Sequence, residues 1–113
     1  MTIKNTQNKA PGQVTSDDFP ALQEFLRGYF HEDMMDDYGS VRGAVEQFCE
    51  DADAEQRRSV SNQWEAFRRR MKDQPLEAFN QALTEVLGST YRFSSIDQAK
   101  KVTAIFVKNT QDD

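Results

Sequence analysis

Apolar residues recur at helical spacing in five parts of this chain, and each part predicts a helix. The first apolar face begins at Phe19, directly after capping-type residues, and predicts a helix that ends near Glu32. Gly28 lowers the stability of such a helix by about 1 kcal/mol relative to alanine, which predicts a close packing contact there or an early helix end. Residues 34–39 predict a loop. Ser40 then suits the N-cap of a second helix.

The second half of the sequence predicts two further helices with clear boundaries. Asp53 and Gln56 have the spacing of a capping box. The third helix follows them, with Val60, Trp64, Phe67 and Met71 on its apolar face. Pro75 suits the first turn of a fourth helix and Gly88 suits its C-terminal cap.

The last segment allows two interpretations. Ser95 and Gln98 have the spacing of another capping box, which favours a fifth helix. Residues 102–107 are also apolar and β-branched enough to form a strand beside residues 91–93. The sequence therefore predicts an all-α fold, a single compact domain of about five helices, with a short C-terminal strand pair as the alternative.

The chain length of 113 residues suits one domain. Residues 1–15 are polar and non-periodic, which predicts a disordered or loosely attached lead-in, and residues 16–113 are predicted to form the helical domain. The single cysteine, Cys49, is expected to be a small buried hydrophobe. No apolar stretch reaches the roughly 20 residues of a membrane span, and we expect a cytoplasmic protein that does not bind a membrane.

Charge is distributed unevenly along the chain. Residues 17–55 contain twelve Asp and Glu residues against Arg27 and Arg42 alone, whereas residues 56–113 carry a small positive excess. An acidic region of this kind repels nucleic acid and attracts basic partners. The arginines of the third helix are therefore expected to pair with the carboxylates of the first two helices or to cover the Trp64 face with their stems, rather than to bind nucleic acid.

The densest group of reactive side chains follows the first helix and comprises His31, Glu32, Asp33, Asp36 and Asp37. Acid–base catalysis is not favoured, because it needs a pocket that gives two carboxylates different environments. Calcium binding is not favoured either, because the spacing of the acids does not match a calcium-binding loop. Because acids near a helix C-terminus oppose the helix dipole, the segment is predicted to carry local strain. Two interpretations stay open. The segment either contacts a basic protein surface with the help of nearby tyrosines, or it is an ordinary solvated loop.

Several short stretches follow one another in a recognisable order. They are Phe19-Pro20-Ala21-Leu22, Phe25-Leu26, Tyr29-Phe30-His31-Glu32-Asp33 and the acidic segment before a helix that ends in Phe48. In this order they resemble the small immunity proteins of bacterial contact-dependent growth inhibition systems (CdiI type). The likeness extends through Leu76, Leu83 and Leu87 into Tyr91-Arg92-Phe93. Met34-Met35 departs from the pattern, since a large aromatic residue is expected after the acid.

The resemblance implies an immunity protein that binds the toxic C-terminal domain of a surface adhesin, a domain that is often a nuclease. The residues themselves predict no cofactor, no metal and no catalytic residue. We expect the partner to contact Glu32, Asp33, Asp36, Asp37 and Tyr38, together with a second acidic group formed by Glu50, Asp51 and Asp53. Two other hypotheses are a small acidic adaptor for another basic protein and a metal-dependent enzyme that uses His31.

Overall fold

The computed structural model describes residues 14–15 and 17–110 of the chain. These residues form six α-helices and one π-helical segment that continues the fifth helix. The elements are α1 Pro20–Tyr29, α2 Met34–Tyr38, α3 Val41–Asp51, α4 Ala54–Arg70, α5 Leu76–Gln81, the π-helical segment Ala82–Val86, and α6 Ile96–Thr110. The all-α class is confirmed. None of the helices described is both long and apolar enough to cross a membrane. Residues 1–13 of the predicted lead-in lie outside the described residues.

The predicted strand pair is wrong, because residues 102–107 belong to α6 and no strand forms in the described part of the chain. The physical reason lies in Asn80, which is buried at the end of α5. Its side-chain amide donates to the Phe93 carbonyl at 2.8 Å, and its carbonyl accepts from the Phe93 N–H at 2.8 Å. A side chain therefore occupies the backbone groups that a strand partner would need.

The segment after α1 differs from the prediction in two ways. The first helix ends at Tyr29 rather than near Glu32, and the Phe30 carbonyl accepts a hydrogen bond from the Thr90 N–H at 2.8 Å. The predicted loop at residues 34–39 contains α2, which is held by the buried side chain of Met34. A β-carbon at Gly28 would meet no atom within 4 Å, so the early helix end, and not a packing contact, explains that glycine.

Most of the predicted helix boundaries are confirmed by their capping groups. The Ser40 hydroxyl accepts from the Gly43 N–H at 2.9 Å, and Asp53 and Gln56 form a reciprocal capping box. Gly88 takes a φ of +91° after the π-helical segment, as a C-terminal cap requires. Before α6 the Ser95 hydroxyl accepts from the Gln98 N–H at 3.2 Å, as predicted. The return bond differs, because the Gln98 side chain accepts from the Ser94 N–H at 2.9 Å instead of the Ser95 N–H.

The core is rich in aromatic rings packed edge to face. Phe25 contacts the rings of Phe48 and Phe106 at centroid distances of 4.9 and 5.5 Å, which joins α1, α3 and α6. Trp64 is fully buried, as predicted, and its indole N–H donates to the Thr103 hydroxyl at 2.8 Å. Edge-to-face pairs add to the stabilisation from buried area, by about 0.5–1.5 kcal/mol each.

Cys49 is buried, as the sequence predicts, whereas the arginines of α4 contact backbone carbonyls and a hydroxyl as well as a carboxylate. Burial raises the pKa of the Cys49 thiol to about 11. Arg57 donates to the carbonyls of Cys49 and Ala52 at 3.2 and 2.8 Å, which ties the end of α3 to α4. Arg68 donates to the Thr103 hydroxyl at 2.9 Å, and Arg70 lies 3.5 Å from the Asp18 carboxylate.

Candidate functional site

The acidic segment is exposed around the start of α2. We call its four acidic residues, Glu32, Asp33, Asp36 and Asp37, the acidic ledge. All four residues are exposed. Asp36 and Asp37 lie in the first turn of α2, and Asp33 is its N-cap residue. The helix dipole favours acids at this end, so the strain predicted for a helix C-terminus is wrong for these residues. The ledge therefore exposes four carboxylates to solvent at a helix end that favours negative charge.

His31 organises the backbone of the ledge. Its Nδ1 accepts a hydrogen bond from the Asp33 N–H at 3.1 Å, and its Nε2 lies 3.6 Å from an Asp37 carboxylate oxygen. The ring also lies 6.0 Å from the ring of Tyr38. Among the described residues, no group of three or more His, Cys, Asp and Glu is arranged to hold a metal ion. The contacts of His31 are therefore those of a residue that positions its acidic neighbours.

A stack of tyrosines connects the ledge to the end of α3. The rings of Tyr38 and Tyr29 are 5.6 Å apart and 26° from parallel. The Tyr29 hydroxyl donates to the Asp51 carboxylate at 2.8 Å. Burial, followed by this hydrogen bond and the charge of Asp51, raises the pKa of Tyr29 to about 12. The two predicted acidic groups are thus linked through the half-buried side chains of the two tyrosines.

Four carboxylates line a groove where α1 meets the junction of α3 and α4. We call this the acidic groove, and its carboxylates belong to Glu24, Asp51, Asp53 and Glu55. The groove has a volume of about 490 Å³ and an apolar floor that includes Phe25, Phe48 and Val60. No lysine or arginine is among the described residues that line it. The arrangement offers negative charge above an aromatic surface.

The structure divides the second predicted acidic group. Asp51 and Asp53 line the acidic groove, whereas Glu50 borders a different depression with Arg57 and Lys108. Sequence reasoning missed Glu24 and Glu55 as members of the groove. Glu55 lies between the two residues of the capping box and could have been included from its position, whereas Glu24 on α1 reaches the groove only through tertiary packing.

Chemically, the ledge and the groove can bind cationic groups. Carboxylates above aromatic rings suit lysine or arginine side chains, because the rings cover the apolar stem and the carboxylates accept hydrogen bonds. Part of the negative charge is already engaged within the molecule. Asp51 accepts from Tyr29 and from Gln47, and Asp53 accepts from the Gln56 N–H. Glu24, Glu32, Asp36 and Glu55 are exposed carboxylates at the rim.

Comparison with known proteins identifies a family but no individual relative. No curated protein and no solved structure matches the chain. The family model described as CdiI immunity protein matches residues 18–102, which span α1 to α5 and the first half of α6. The match includes the acidic ledge and the acidic groove, and it agrees with the resemblance seen in the sequence. The chain therefore belongs to the CdiI immunity protein family.

Proposed function

We propose that this protein binds the C-terminal toxin domain of a contact-dependent growth inhibition adhesin in the cytoplasm and neutralises it. Family membership supports a toxin-neutralising role with a cognate toxin as partner. The observation that carries the proposed mode of binding is the paired ledge and groove, which together present eight carboxylates on neighbouring elements. Their partner is a basic surface of the toxin.

We further propose that the toxin is a nuclease. A nuclease holds the phosphates of its substrate with positive charge, and a carboxylate surface is complementary to the same charge. Neutralisation follows either because the ledge and groove cover the active site or because they block the path of the nucleic acid beside it. The proposed contact residues are Glu32, Asp33, Asp36, Asp37, Tyr38, Asp51 and Asp53, with Glu24 and Glu55 added by the groove and Glu50 beside it in a separate depression.

Calorimetric titration with the toxin domain encoded beside this gene tests the proposal. Three variants each remove two negative charges. Glu32→Gln with Asp36→Asn changes the ledge, Glu24→Gln with Glu55→Gln changes the groove, and Glu77→Gln with Glu85→Gln is the control on α5 and the π-helical segment. We expect the first two variants to weaken binding about tenfold each, and the control to change it much less. Equal effects of all three would contradict the proposed interface.

Activity assays test the immunity function and the nuclease assignment separately. Cells that express the toxin domain should survive only when this protein is produced with it. The isolated toxin domain should cleave RNA or DNA, and an equimolar amount of this protein should stop cleavage. Protection of cells without nucleic acid cleavage by the toxin would refute the nuclease assignment and leave the immunity function intact. Absence of binding and of protection would refute both.

A further inference from the structure

A second groove lies between α3 and α6, and its character is opposite to that of the acidic groove. Its floor is apolar and comprises Val41, Val102, Ala104 and Ile105. Its rim carries Arg42, Lys101 and Lys108, all of them exposed. The single carboxylate that lines it, Glu46, lies 3.2 Å from Arg42. An apolar groove with a positive rim is complementary to an apolar side chain flanked by acids.

The same molecule carries such a side chain. Met35 on α2 is 56% exposed and is the large hydrophobic residue exposed among those described. Its neighbours on the acidic ledge include Asp36, which directly follows it, and Glu32, which is also exposed. The long, flexible thioether of methionine adapts readily to an apolar groove. Met35 therefore has the shape and the charged surroundings that the α3–α6 groove fits.

We propose that two copies of this protein associate as a two-fold dimer in which Met35 of each copy enters the α3–α6 groove of the other. The carboxylates of the acidic ledge then face the positive rim. Ser40, which borders the groove, follows the end of α2 at Tyr38 by two residues. Because α2 packs against α3, the projection and the groove lie on adjoining elements, and one two-fold axis can relate both contacts and close the assembly.

Dimerisation would cover the acidic ledge, which is also a proposed contact of the toxin. In the free protein the acidic ledge would be covered in a weak dimer. A toxin that binds more tightly would displace the second copy. This inference does not rest on the proposed function, since the dimer is detected with the purified protein alone.

Sedimentation equilibrium of the full chain, from about 5 to about 500 μM, tests whether the protein self-associates in a concentration-dependent way. We expect a monomer–dimer equilibrium that weakens at high salt. Met35→Ala should shift the midpoint of association to at least several-fold higher concentration without changing the circular dichroism spectrum, because the side chain is exposed. A monomer throughout this range would overturn the proposal.

A charge exchange gives the sharper result. Asp36→Lys places positive charge against the positive rim, and Lys101→Glu places negative charge against the ledge, so each variant alone should be monomeric. An equal mixture of the two should form a heterodimer, because both contacts of the pair then join opposite charges. Glu77→Lys and Lys100→Glu are the matched controls and should behave as the unaltered protein does. A mixture that stays monomeric, or single variants that still dimerise, would overturn the proposal.

Discussion

Asn80 is a polar residue inside the core, 6% exposed, and its amide satisfies both backbone groups of Phe93. Asn80→Ala leaves the Phe93 N–H and carbonyl without these partners in a buried position. A buried polar group that loses its partner costs about 1–3 kcal/mol. We therefore expect the free energy of unfolding to fall by about 3 kcal/mol, measured by urea denaturation.

Two further variants control for this result. Asn62→Ala removes the same side chain from an exposed position on α4, and its effect should stay within about 0.5 kcal/mol. Asn80→Asp keeps an acceptor for the Phe93 N–H but lacks the donor to the Phe93 carbonyl, so its stability should also fall. If Asn80→Ala were as mild as Asn62→Ala, the clamp on Phe93 would not contribute to stability.

Tyr29 provides a pH-dependent test of its burial and of its hydrogen bond to Asp51. The pKa of Tyr29 rises from 10.0 to about 12 in the folded chain, so the folded protein holds the phenolic proton more tightly than the unfolded one. The associated stabilisation is complete below pH 10.0 and is lost as the pH rises towards 12. The difference in unfolding free energy between the unaltered protein and Tyr29→Phe should therefore be constant below this range and decrease within it.

Chemical denaturation at a series of pH values measures this difference. Cys49, whose pKa is also raised, is present in both proteins, so its contribution cancels in the comparison. A difference that stays constant through the alkaline range would show that Tyr29 does not hold its proton against Asp51 in solution.

At the scale of the elements, replacing glycine with alanine is expected to have opposite effects on stability at two positions. A β-carbon at Gly43 would overlap the backbone carbonyl of Tyr38, where α2 meets α3. Gly43→Ala should therefore displace α2 and destabilise the fold by about 1–3 kcal/mol. Gly28, near the end of α1, has open space around it, and Gly28→Ala should stabilise the protein by up to about 1 kcal/mol. Thermal unfolding of both variants measures the two effects, and a Gly43→Ala variant as stable as the unaltered protein would contradict the close approach of α2 and α3.

The elements that the sequence predicts best are those with several turns of one apolar face. In α4, Val60, Trp64 and Phe67 are all buried, as their spacing requires. The helix α2 could not be predicted in this way, because its five residues bury only Met34. Periodicity alone could not decide residues 102–107; the cap at Ser95 favours the helix, and the contact of Asn80 with Phe93 removes a strand partner.

The candidate site was predictable only where its residues are close in sequence. The acidic ledge is a run of neighbouring residues, so its exposure on one short helix needed little tertiary information. The acidic groove combines Glu24 of α1 with Asp51 and Glu55 near the α3–α4 junction, and only the packing of α1 against α3 and α4 brings them to one groove. Which of these carboxylates contact the partner stays a prediction.

For the molecule as a whole, the uneven distribution of charge is expected to raise the rate of association with a basic partner. Residues 17–55 carry twelve acidic residues and two arginines, and they include both the ledge and the groove. Their combined field acts beyond the contact surface when ions do not screen it. The Debye length shortens from about 30 Å at about 10 mM ionic strength to about 8 Å at about 150 mM.

We therefore expect the association rate constant with the toxin domain to fall about tenfold or more over this range of ionic strength, with a much smaller change in dissociation. Stopped-flow fluorescence of the two proteins measures both rate constants. The physical reason is that steering lowers the energy of the approaching pair, whereas the contacts within the complex are largely desolvated and are screened less. A constant association rate with faster dissociation at high salt would mean that the carboxylates act only as contact ion pairs, and that the acidic half does not steer the toxin.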